Sequence, residues 1–104
     1  MAELGEADLD RLAEEAIVDA YGEDEQLAGF YTMIEENLAL PFATNLLGAE
    51  VAVEGIDLTA GGIVAVCVRG PLRQPIGLLE LPLPDPPPPG SEWIAAYRHW
   101  TGRK

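Results

Sequence analysis

Apolar residues recur at Leu9, Leu12, Ala13, Ala16, Ile17 and Ala20, the three-and-four spacing that lays one face of a helix on a core. This predicts a first helix over residues 7–21, stopped by Gly22. Leu27, Phe30, Tyr31, Ile34 and Leu38 repeat the spacing and predict a second helix over 24–38. Gly29, inside it, lowers helix stability by about 1 kcal/mol relative to alanine. Pro41 ends the run, because proline disfavours the helical conformation at Leu40. Two helices joined so tightly pack as a hairpin or cross steeply.

Beyond Pro41 the period falls from helical to alternating. "AEVAVEG" sets Val51 and Val53 on one side and Glu50 and Glu54 on the other. "GIVAVCVRG" is a continuous β-branched run between glycines, the pattern of a central strand. Gly61–Gly62 reads as the hairpin turn before it. "QPIGLLEL" predicts a further strand, which Pro75 confines to an edge or a strand start, and "FATNLL" a short one. Several short strands after a helical pair predict an α+β fold: an acidic helical hairpin (7–40) packed on a small antiparallel SH3-like β-barrel (42–81). "LPLPDPPPPG" is dense enough in proline to hold an extended conformation, and reads as a stiff connector (82–90) laid across the barrel. A last helix (91–101) follows in "SEWIAAYRHW", with Ser91 placed to cap it. Trp93, Ile94, Ala96, Tyr97 and Trp100 are spaced to dock it on the core.

Charge changes the picture more than composition does. The 104 residues carry a net charge of −12 and are 48% hydrophobic, which suits one globular domain over residues 1–104. Residues 1–37 hold twelve carboxylates against one base, Arg11, whereas the remainder is nearly balanced. Such a field repels nucleic acid and acidic membrane surfaces and attracts cations or a basic protein partner. The single cysteine, Cys67, lies in an apolar strand and reads as a small buried hydrophobe in a reducing, cytoplasmic setting. No run approaches the roughly 20 apolar residues of a membrane span.

Catalytic constellations are scarce. One histidine and one cysteine cannot supply a zinc site, and Gly61–Gly62 lacks the lysine and helix of a phosphate loop. Carboxylates remain. "DAYGEDEQ" gathers Asp19, Glu23, Asp24 and Glu25 around the junction of the two helices, with Asp19 expected at the border of the first helix's apolar stripe and Glu23 near the inner side of the second. Glu35 and Glu36 stand at the far end of the second helix, about 16 Å away at 1.5 Å per residue, and form a second group. A hard cation such as Ca2+ takes roughly six to eight oxygen ligands. A solvated acidic face, favoured by the helix dipole in the first turn, reads the same residues without an ion. The EF-hand pattern fails, because the sixth position from Asp19 is Asp24 and not glycine.

The run "IVDAYGEDEQLAGFYTMIEENLALPFAT", with the Pro41–Phe42 step and the tryptophan-containing "EWIAAYRHW", resembles the CcbP-type small calcium-binding protein family over roughly residues 14–101. The resemblance implies a non-EF-hand protein that holds Ca2+ through acidic residues. Here those are expected to be Asp19, Glu23, Asp24 and Glu25, with Glu35 and Glu36 as the second group. The expected function is non-enzymatic Ca2+ binding, in buffering or sensing. The competing class is an acidic interaction module that docks a basic partner and binds metal incidentally.

Overall fold

A computed structural model describes residues 4–102; residues 1–3 and 103–104 of the expected 1–104 unit lie outside the described residues. Helix α1 spans Glu6–Ala16 and α2 spans Glu23–Asn37. Strands β1 (Phe42–Leu46), β2 (Ala49–Thr59), β3 (Gly62–Arg69) and β4 (Leu72–Gly77) follow, and α3 (Glu92–Gly102) closes the chain. The α+β class is as expected.

The first helix is a turn shorter than its apolar spacing predicts. Ile17 N–H bonds to the Ala13 carbonyl at 3.1 Å, but Ala20 N–H turns back to Ile17 at 2.9 Å. Asp19 adopts φ 62°, a left-handed conformation that aspartate tolerates better than most residues. Gly22 then caps α2 in an extended conformation, and Glu23, Asp24 and Glu25 fill its first turn, where the helix dipole favours negative charge.

The strands form an antiparallel meander in the order β1-β2-β3-β4. Leu47 and Gly48, both at positive φ, make the tight β1–β2 turn. Residues 60–61 make the β2–β3 turn. The β2–β3 register shifts between Val53 and Gly55, a bulge that bends the ladder. Val53, Ile63, Ala65 and Cys67 face the core. Burial pushes the Cys67 thiol above its ordinary pKa, so the cysteine behaves as the expected buried hydrophobe.

The expected barrel does not close. "QPIGLLEL" is a strand only as far as Gly77; residues 78–80 turn away, with Leu78 and Leu81 buried. Arg98 fixes this turn by donating to the carbonyls of Leu78 and Leu81. Without a strand there, β1 and β4 remain the edges of an open four-stranded sheet. Pro75 lies on the β4 edge, where a missing N–H interrupts no ladder.

One face of α2 covers the sheet. Phe30 and Ile34, both 0% exposed, pack with Val53, Ile63, Leu78, Leu81 and Ile94. Phe30 also meets Trp100 at 5.0 Å and Tyr97 at 5.8 Å between ring centroids. The Tyr97 hydroxyl accepts the Ile63 N–H at 3.3 Å, which ties α3 to the sheet. Trp93 is buried as expected, whereas Trp100 is partly buried at the margin of the core. Ser91 stands immediately before α3, its carbonyl accepting Ala95 N–H at 3.0 Å.

The helical hairpin also differs from expectation. α1 packs chiefly on α3 and less on α2, with His99 Nε2 2.8 Å from Asp10 Oδ1 across the α1–α3 seam. Contact with α2 centres on Ala16, whose carbonyl oxygen lies only 2.1 Å from where a Cβ at Gly29 would stand. The proline connector is anchored at both ends. Thr44 Oγ1, on β1, donates to the Pro82 carbonyl at 2.6 Å, and Ala39 N–H donates to the Pro89 carbonyl at 2.9 Å.

Candidate metal centre

The six expected ligands occupy three settings, all exposed. Asp19 is in the loop between α1 and α2, not on the last turn of α1 where the spacing placed it. Glu23, Asp24 and Glu25 are the first three residues of α2. The helix does reach back to Glu23, but that residue is exposed and not turned to an inner side. Glu35 and Glu36 are near the C-terminal end of the same helix.

Glu25 and Glu35 already serve local structure. Glu25 Oε1 accepts the Tyr21 N–H at 2.8 Å, tying the loop to the first turn of α2. Glu35 Oε2 accepts the Tyr31 hydroxyl at 2.9 Å. That hydrogen bond to Glu35, with some burial and the charges of Glu35 and Asp57, holds the Tyr31 hydroxyl above its ordinary pKa. Asp57 lies on β2, which packs under α2. It brings a sheet carboxylate into the field of the second group. Sequence reading passed over it; the available signal was an acid breaking the run of small and apolar residues in "GIDLT".

The donor chemistry fits a hard cation. Asp19, Glu23, Asp24, Glu25, Glu35 and Glu36 offer carboxylate oxygens only, the hard donors that such an ion takes. Full coordination is not preformed: among the described residues no three His, Cys, Asp or Glu side chains stand close enough together to share a metal ion. Exposed like charges repel, by about 1 kcal/mol for a pair 4 Å apart in water, so separated carboxylates are the natural ion-free arrangement.

No described helix is long and apolar enough to cross a membrane. No curated protein and no solved structure shows significant similarity to the chain. A family model described as calcium binding, that of the CcbP-type proteins, matches residues 10–101. That match takes in the acidic loop, the sheet, the connector and nearly all of α3, so the chain belongs to the CcbP-type calcium-binding family and Ca2+ is its metal.

Proposed function

We propose that the protein is a non-enzymatic Ca2+ binder, acting in buffering or sensing, whose first site is assembled on the ion from Asp19, Glu23, Asp24 and Glu25. The observation that carries this reading is the calcium-binding family match across residues 10–101. The placement of four carboxylates on one loop and the adjoining helical turn supports it. Glu35 and Glu36, joined by Asp57, form a second and weaker group. A non-enzymatic role is supported by the chemistry: the single histidine is engaged with Asp10 and the single cysteine is buried. A site drawn from a helix end and the adjoining loop, without a dedicated loop of its own, favours Ca2+ over Mg2+, which demands a tighter octahedron and sheds water reluctantly.

The competing reading, an acidic face for a basic partner, is favoured by Val18 and Tyr21. They are 68% and 88% exposed beside the carboxylates and could serve as apolar anchors.

Calorimetric titration of metal-free protein with Ca2+, at about 0.15 M salt to damp long-range fields, separates the two. The expected dissociation constant lies roughly between 10⁻⁶ and 10⁻³ M. Asp19→Asn should weaken binding about tenfold or more, near 1.4 kcal/mol. Glu6→Gln, at the start of α1, should change it little. Equal weakening by both substitutions would mean a diffuse counter-ion cloud and no site.

A further inference from the structure

We propose that the groove between β1 and the proline connector is a docking site for an arginine side chain, presented by an extended segment of a partner protein. The groove encloses about 290 Å³, at the low end of the roughly 300–1,000 Å³ typical of small-molecule pockets, and it suits one long side chain better than a cofactor. Its floor is the strand; its wall is the connector from Pro82 to Asp85.

What the groove offers is acceptors. Glu50 and Asp85 bring carboxylates and Asn45 an amide. These three exposed side chains take part in no hydrogen bond or ion pair within the described structure. Pro82 and Pro84 carry no N–H, so these two wall residues offer carbonyls and ring faces and no backbone donor. The Thr44 hydroxyl is already committed to the Pro82 carbonyl. A ligand that matches must bring several donors and a flat surface for the proline rings. A guanidinium does both, with five N–H groups in a planar fork, whereas an ammonium offers a compact point charge.

The geometry also selects the source of that guanidinium. β1 is an edge strand, and an edge presents unpaired backbone groups along which an extended segment can lie. Leu47, fully exposed at the hairpin tip between Asn45 and Glu50, adds an apolar contact for the same segment. A second copy of this chain is a poor occupant, because each copy carries a charge of −12 and the two repel. The same charge steers a basic partner inward.

The test is an amide NMR titration of the isotope-labelled full chain, with chelator present so that no metal takes part. The probe is a blocked peptide of valine and threonine carrying one central arginine, compared with its lysine counterpart. Shifts are expected at Ala43, Asn45, Leu47, Leu83 and Asp85, with the lysine peptide about tenfold weaker. The double substitution Glu50→Gln with Asp85→Asn should weaken the arginine peptide by about tenfold or more. Glu6→Gln with Glu15→Gln removes the same charge from α1 and should alter binding less than about twofold. Any of four results would overturn the assignment: no binding at millimolar peptide, shifts confined to α1 and α2, equal binding of the two peptides, or equal weakening by the two variant pairs.

Discussion

At position 29 two residue-level effects oppose one another. Alanine there would stabilise α2 by about 1 kcal/mol on propensity. Its Cβ would also stand 2.1 Å from the Ala16 carbonyl oxygen, a backbone atom that cannot swing aside as a side chain can. Overpacking costs about 1–3 kcal/mol, and a contact this short belongs at about 2–3 kcal/mol in that range, so we expect Gly29→Ala to destabilise the protein by about 1–2 kcal/mol net in a urea melt. A neutral or stabilised variant would show that α1 can lift away freely. The Tyr31–Glu35 pair gives a second prediction. In its neutral form the hydroxyl donates to Glu35, so the folded pKa lies above the unfolded value near 10. This stabilising contribution is full below the unfolded pKa and is lost as pH rises through the folded one. Ca2+ held at Glu35 would remove the acceptor and add positive charge, so saturating Ca2+ should lower the tyrosinate transition that Tyr31→Phe removes from an ultraviolet pH titration. An unchanged transition would separate Glu35 from the metal. Asp19 shows the limit of reading at this scale. The apolar spacing runs on through Ala20, yet α1 stops at Ala16, whose carbonyl closely approaches Gly29.

Among the elements, those with a clear local period were legible. The face of α2 from Leu27 to Leu38, the β3 run and the aromatic spacing of α3 all stand close to where the pattern put them. The end of β4 was not legible, because Leu78 and Leu81 look like strand residues in sequence and are buried instead by a turn that Arg98 clamps from twenty and seventeen residues away. The predicted barrel failed with it. Sequence reading located the acidic loop of the candidate site, but the contribution of Asp57 depends on the packing of β2 under α2. The proline run stood out in the sequence as a connector, but its tightest point did not. Gly90 holds φ 89° with the Asn37 carbonyl oxygen 2.1 Å and the Leu38 Cα 2.6 Å from a would-be Cβ. Gly90→Ala combines left-handed strain of about 1–2 kcal/mol with overpacking of about 1–3 kcal/mol. A loss of about 3 kcal/mol in chemical denaturation is expected, and a loss under 1 kcal/mol would mean that the connector is free to slide along α2.

For the whole molecule, the uneven charge makes stability responsive to ions. Twelve carboxylates in the first thirty-seven residues repel one another in the folded state, and any salt relieves part of that. An ion bound only by the folded chain adds linkage stability beyond screening. Ca2+ should therefore raise the melting temperature more than NaCl of matched ionic strength; equal shifts would leave screening as the whole effect. The pairing of α1 with α3 reaches further than this. During synthesis the first helix emerges with its main partner still some eighty residues from being made, and this contact is among the most distant in sequence that the fold must close. A nascent chain must carry α1 as an acidic, water-compatible segment until the last helix arrives. Once α3 docks, the first and last helices are neighbours at Asp10 and His99. Such an arrangement lends itself to circular permutation, with α3 linked on to α1 and the chain opened instead at an exposed hairpin tip. The acidic loop would then sit in the interior of the rearranged sequence, its surroundings unchanged.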